Sequence, residues 1–151
     1  MQAVTVALDV NLAVEVHDAD TGELLHRELL HNLVVDAGLN LIRDLLDGDA
    51  PAGLTHMAVG TGSTAAAAGN TTLGTEVYRG AVTQRVSTSK TLVVKWFVSS
   101  TQANGSTLAE AAIFNAASGG TMFARAVLAT TISKSSAITV SLTWTINLAA
   151  A

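Results

Sequence analysis

The segment ITVSLTWTINL, residues 138–148, alternates without interruption, with Ile138, Val140, Leu142, Trp144, Ile146 and Leu148 on one register and Thr139, Ser141, Thr143, Thr145 and Asn147 on the other. Successive side chains of a strand point to opposite faces, so the pattern predicts a strand with one core face and one uncharged, hydroxyl-rich face. Such a face is either solvated or laid against another subunit, since hydroxyls supply hydrogen bonds at a smaller desolvation cost than charges. Near the N-terminus Val4, Val6, Leu8, Val10, Leu12, Val14 and Val16 share the even register and predict a second strand of the same kind. The stretch DADTGE at 18–23 turns the chain, and strand pairing resumes through residues 24–35.

The period changes once. In DAGLNLIRDLLDGD, Leu39, Ile42, Leu45 and Leu46 fall at helical spacing and Leu41 widens the stripe, which predicts one short helix over about residues 37–47 with its aliphatic face on a sheet. Asp36 is the expected N-cap, and Gly48 and Pro51 are the stop signals. Short strands are expected in LTHMAVG, AVTQRVSTSK, TLVVKWFVSS and TLAEAAIFNA, with turns at QANGS and ASGG. The segment TTLGTEVYRG is expected to form a helical turn capped by Thr71 or Thr72, with Glu76 and Arg79 close enough to pair. The whole reads as a single mainly β domain over 1–151, with about eight strands and one short α-helix in an antiparallel β-sandwich or flattened β-barrel.

At 151 residues the chain is long enough to bury about two thirds of its unfolded surface. Hydrophobic residues make up 49% and charged residues 13%, against about 25% charged in ordinary soluble domains. Either neighbouring subunits cover part of the surface, or a Ser/Thr-rich surface stays wet without charge. Every apolar run is interrupted before the ~20 residues of a membrane helix, and MQAVTVALDV lacks a signal-peptide core, so neither a membrane partner nor export by this segment is expected. Cysteine is absent. Residues 1–50 carry ten acids against Arg27 and Arg43, a net −8, whereas residues 51–151 carry a net +4. That asymmetry favours attraction within the chain or between neighbouring copies. No clustered basic patch points to nucleic acid.

Motifs of chemistry are weak. Gly60 and Gly62 form a GxG pair, but Ala65 stands where a dinucleotide fingerprint wants its third glycine, and no lysine precedes residue 90 to make a P-loop. The glycines are expected to permit a positive φ at a corner. His17, His26, His31 and His56 lack metal-ligand spacing, and no serine lies in a G-x-S-x-G elbow. Glu110, set among apolar residues in TLAEAAIF, is either a catalytic acid with a raised pKa or half of a buried pair with Arg125. The hairpin EAAIFNAASGGTMFAR brings the two together and favours the pair. No catalytic residue, cofactor or metal is expected, and the chain reads as a non-enzyme.

The ordered elements HNLVVDAGLNLIRDLL, MAVGTGSTAAAAGNTTLGTEVYRG, NGSTLAEAAIFNAASGGTMFARAVL and ITVSLTWTINL resemble the small β-rich structural proteins of tailed bacteriophages, over about residues 24–148. The resemblance implies scaffold roles for Gly60, Gly62, Leu73, Glu76, Arg79, Glu110, Phe114 and Arg125. It implies a virion protein made in the bacterial host cytoplasm. The expected role is a decoration protein on the capsid exterior, a homotrimer that binds the major capsid protein lattice and stabilises the head. The alternative is a tail-fibre or baseplate appendage with a receptor- or glycan-binding role. For assembly, residues 1–16 are the expected intersubunit strand or arm, with Val4, Val6, Leu8 and Val10 on one segment and Thr139, Ser141, Thr143 and Thr145 on the other.

Overall fold

A computed structural model describes residues 3–150. In chain order the elements are β1 (Val6–Asp18), β2 (Leu24–His31), β3 (Leu33–Val34), α1 (Asp36–Asp47), β4 (His56–Gly60), β5 (Glu76–Ala81), β6 (Gln84–Thr88), β7 (Thr91–Val98), β8 (Thr107–Phe114), β9 (Met122–Ser133) and β10 (Ile138–Ala150). They build two five-stranded antiparallel sheets, ordered β2-β1-β10-β7-β6 and β3-β9-β8-β4-β5. Each sheet keeps two terminal strands, so the fold is a sandwich and not a closed barrel.

The two strands with the clearest alternation pair with each other. β1 and β10 run antiparallel in unbroken register from Val6 opposite Ala150 to Asp18 opposite Ile138. Their apolar registers point inward, so Val10, Leu12, Val14 and Val16 meet Val140, Leu142, Trp144 and Ile146, and β7 adds Val94, Trp96 and Val98. From the second sheet Met57, Val59, Ala111, Ile113, Ala124 and Ala126 close the same core. Burying a Val, Leu or Ile side chain stabilises by roughly 1.5–3 kcal/mol, and the facing alternation supplies that gain at every second position.

The 18–23 turn forms because the Asp18 carboxylate accepts hydrogen bonds from the Asp20 and Thr21 N–H groups at 2.9 and 2.8 Å, and Gly22 takes a φ of 74°. Those backbone bonds, Thr21 first, hold the Asp18 pKa below its ordinary value. After β2 the chain leaves the first sheet at Asn32, and β3 pairs with β9 of the second. The 24–35 segment is therefore two strands in two sheets rather than one.

Several details correct the expectations. Val35, fully buried, holds the N-cap position of α1 without a side-chain cap, and Asp36 is the first helical residue, its N–H donating to Ala68 O. Gly48 closes the helix in the left-handed conformation at φ 86°. Gly38 lies against the Phe123 backbone, where any larger residue would collide, and this contact seats α1 on β9. The aliphatic stripe is only partly covered: Leu41 is buried, whereas Leu39, Leu45 and Leu46 stay exposed. The segment expected as a helical turn at TTLGTEVYRG instead supplies β5, paired with β4 from His56–Ala81 to Gly60–Glu76. Glu76 and Arg79 still pair, at 2.7 Å.

The expected arm at 1–16 is largely an internal strand. Asn11 to His17 of β1 pair with β2 on one side and β10 on the other, which leaves them no free edge to offer a neighbour. Val10 belongs to the core and Leu8 packs against it, while Val6 is exposed and Val4, 91% exposed, precedes the strand. Residues 1 and 2 lie outside the described residues.

Candidate functional site

β8 is buried on both faces, because the second sheet carries a third layer. Its inner face meets the first sheet, while on its outer face the 61–75 loop and Val35 cover Ala58, Ala112, Phe114 and Met122, with Leu73 inserted among them. Glu110 points into this outer layer with no solvent exposure. Arg125, one strand away on β9, donates to Glu110 Oε2 from Nε at 3.0 Å and from Nη2 at 2.9 Å.

A buried ion pair needs its remaining polar atoms satisfied, and the loop supplies the partners. Glu110 Oε1 accepts from the Gly62 and Thr75 N–H groups at 2.9 and 2.8 Å, and Oε2 accepts from Gly74 N–H at 2.9 Å. Arg125 reaches the loop as well, donating to Asn70 Oδ1 at 3.1 Å and Thr64 O at 2.8 Å. The pair thus clasps the loop at both ends and in the middle.

The GxG pair now has a physical reason, and it differs from the expected one. Neither Gly60 nor Gly62 has a positive φ. A methyl group at either position would stand 2.6 Å from Glu110 Oε1, and at Gly60 it would collide first with the Thr75 carbonyl, so Gly62 is glycine to admit the carboxylate and Gly60 to admit both the carboxylate and the loop backbone. The loop is an anion cradle of converging backbone N–H groups, and its anion is the chain's own glutamate.

This geometry bears on chemistry. Burial raises the Glu110 pKa, but the bonds from Thr75, Gly74, Arg125 and Gly62 together outweigh it and hold the group below its ordinary value. An ionised carboxylate with five donors on it is a structural anchor, not a poised acid. Arg79 plays a smaller part of the same kind. It lies 3.7 Å over the Phe114 ring and donates to Ala116 O and Gly119 O, fixing the turn between β8 and β9. Among the described residues no group of three or more His, Cys, Asp or Glu side chains is placed to hold a metal ion. Among the described residues no helix is long and apolar enough to cross a membrane.

The other expected positions lie on the opposite side of the molecule. Thr139, Ser141, Thr143 and Thr145 sit half-buried on the outer face of β10, the middle strand of the first sheet. Ser141 lies between Glu15 and Phe97, Thr143 between Ala13 and Lys95, and Thr145 between Asn11 and Val93. Glu15 and Lys95 are the charged side chains directly beside these hydroxyls. Among the described residues no ion pair joins the acidic first third to the rest of the chain; the pairs are His17–Glu15, Arg43–Asp44, Arg79–Glu76 and Arg125–Glu110.

Two features had no sequence signal. An apolar groove of about 430 Å³ opens between α1 and the end of the first sheet, lined by Leu8, Leu45, Leu46, Leu92, Ile146 and Leu148 among others. The uncovered part of the helix stripe forms one wall, and Leu46 stands 85% exposed on it. The second is Lys134, which is buried without a carboxylate and donates to Asn104 Oδ1 and Ser135 O at 2.8 and 2.9 Å. Burial lowers its pKa. In comparisons with known proteins, the chain matches no family model, no curated protein and no solved structure.

Proposed function

We propose that this chain is a non-enzymatic structural protein of a tailed-bacteriophage virion, a decoration protein seated on the outside of the major capsid protein lattice. The observation that carries the reading is the apolar groove beside α1, with leucines left open on its wall. A chain that stays solitary in water rarely leaves such a patch without a purpose. The outer face of β10 adds a row of half-buried hydroxyls, which a neighbour can cover at a smaller desolvation cost than charges in their place would carry. The work is mechanical. Each copy covers apolar and hydroxyl surface on several capsid subunits, and binding the assembled lattice in preference to its separated parts stabilises the assembly by mass action. The sequence resemblance supplies the virion context.

The test is copy number per particle, by quantitative mass spectrometry of purified virions separated into heads and tails. Hundreds of copies in the head fraction are expected. A handful of copies in the tail fraction, or none in either, overturns the decoration reading, and the tail result turns attention to a host receptor.

A further inference from the structure

The groove between α1 and the end of the first sheet reaches the core. Leu41, Leu54 and Phe123, all buried, form its floor, and Leu45 and Leu46, both exposed, form its lip. Its polar residues are confined to one place. Ser87, Ser89, Lys90 and Thr91 all belong to the tip of the β6–β7 hairpin, and apart from Gly53 the rest of the lining is apolar. The groove therefore has one polar end and an apolar body.

The charge at that end is of one sign. Among the described residues Lys90 is the only charged one on the wall, although α1 carries Asp36, Asp44 and Asp47 and the chain is net −4. None of the ion pairs among the described residues includes Lys90. Its main chain is fixed in place. The Leu148 N–H donates to Lys90 O at 2.9 Å, and Ser89 before it takes a φ of 53° in the two-residue turn that joins Thr88 to Thr91. Thr91 donates its hydroxyl to Asn147 Oδ1 at 2.7 Å, which leaves Lys90, flanked by Ser87 and Ser89, to meet a ligand.

Volume limits the occupant. At ~30 Å³ for each heavy atom, the share that a water molecule takes in the liquid, the groove of about 430 Å³ holds roughly fourteen heavy atoms. That is one aliphatic chain of about twelve carbons ending in a carboxylate, and not the paired chains of a phospholipid.

We propose that the groove is a binding site for a single-chain fatty acid of medium length, with its carboxylate on Lys90 and its tail against Leu41, Leu54 and Phe123. An apolar cleft with a few convergent polar groups is the usual form of a small-ligand site. Burial of the tail supplies the affinity, and the ammonium group selects the sign of the head. The inference stands apart from the virion reading, although a seated fatty acid would compete with a capsid subunit for the same leucines. It is tested on the isolated chain, so either reading can fail alone.

Isothermal titration calorimetry with dodecanoate below its micelle concentration is expected to give one site per chain. Dodecyltrimethylammonium, with the same tail and the opposite charge, binds about fivefold more weakly, the difference between an exposed attraction and a repulsion of similar size. Lys90→Glu reverses that order. Leu45→Asp removes binding of both probes with an unchanged circular dichroism spectrum, whereas Leu39→Asp, at an exposed leucine outside the groove lining, changes neither. Wild-type protein that binds no dodecanoate, takes up many molecules per chain, or binds both probes alike overturns the proposal. So does a Lys90→Glu protein that keeps the wild-type preference, or a Leu45→Asp protein that binds as before. Wild-type protein that sediments with phosphatidylglycerol vesicles while ignoring monomeric dodecanoate overturns it too, because the leucines then face a lipid surface.

Discussion

Replacing Glu110 with glutamine exchanges one carboxylate oxygen for an amide nitrogen and keeps the shape. In the native protein Oε1 accepts two N–H groups and Oε2 accepts three, two of them from Arg125. An amide nitrogen in place of Oε1 faces two donors, and in place of Oε2 it faces three. Neither orientation closes the network, so at least two buried donors lose their acceptor and the Arg125 cation loses its counter-charge. Breaking a buried pair by removing one partner costs about 3–5 kcal/mol. At roughly 2–4 °C per kcal/mol for a chain of this size, the expected fall in Tm is ~6–20 °C. Thermal unfolding followed by the fluorescence of buried Trp96 and Trp144 measures the fall in Tm, and urea unfolding with the same probes measures the free energy. The acid limb gives a second reading. Because the folded carboxyl sits below its ordinary 4.5, the unfolded chain binds a proton that the folded chain does not in the interval beneath that value. The stability due to Glu110 is therefore complete above about 4.5 and is lost as pH falls through the lowered folded value. The Glu110→Gln protein lacks that slope. A variant within ~1 kcal/mol of wild type, with the acid limb unchanged, refutes the clasp.

Three further outcomes follow from the same geometry. Gly62→Ala sets a methyl 2.6 Å from Glu110 Oε1 and destabilises by about 1–3 kcal/mol, whereas Gly69→Ala in the same loop meets nothing within 4 Å and stays within ~0.5 kcal/mol in the same urea assay. Deleting residues 1–16 removes the core side chains Val10, Leu12, Val14 and Val16, a loss of roughly 6–12 kcal/mol, and yields an unfolded chain by circular dichroism, whereas deleting residues 1–5 leaves the sandwich intact. Lys134, its pKa lowered from 10.5 by burial, binds a proton less readily folded than unfolded. Stability is therefore expected to rise with pH up to about 10.5, and Lys134→Met flattens that rise in urea midpoints taken across the alkaline range.

The sandwich was legible where burial and period coincide. β10 and β1 alternate because one face of each meets the core, and that alternation is a local record of a long-range fact. The helix was legible for the same reason, although its stripe overstated its burial, since hydrophobicity marks a face that wants cover and not the cover itself. β5 was misread because GTEVYRG does not alternate; its strand state comes from pairing with β4, and its burial is slight. β3, two residues long, exists because β9 lies beside it, and nothing in Leu33–Val34 announces a change of sheet. The Glu110–Arg125 pair could be read from a hairpin that places them on neighbouring strands. The loop that completes it could not, because Asn70 and Thr64 meet Arg125 across 55 and 61 residues of chain. The glycines were noticed for the wrong property: a glycine chosen for space and a glycine chosen for φ look alike in sequence.

Whether the 61–75 loop is a detachable cover or part of the fold turns on what lies beneath it. Lifting it uncovers Phe114, Met122 and Val35 and withdraws Leu73 from among them. At roughly 1.5–3 kcal/mol for each large side chain, opening costs ~6–12 kcal/mol before the ion pair is counted. That matches the ~5–15 kcal/mol that separates a whole domain from its unfolded state. Local opening therefore has no energetic advantage over global unfolding. The loop and the sandwich should melt as one unit, unlike surface loops that open separately. Native-state hydrogen exchange decides the matter: the N–H groups of Gly62, Gly74 and Thr75 should exchange with the same free energy as core strand groups such as those of Val14 and Leu142. In the Glu110→Gln protein both sets should fall together. Loop N–H groups that exchange at more than ~2 kcal/mol below the core would show a cover hinged on the glutamate alone, with the apolar layer beneath it contributing far less than its burial implies.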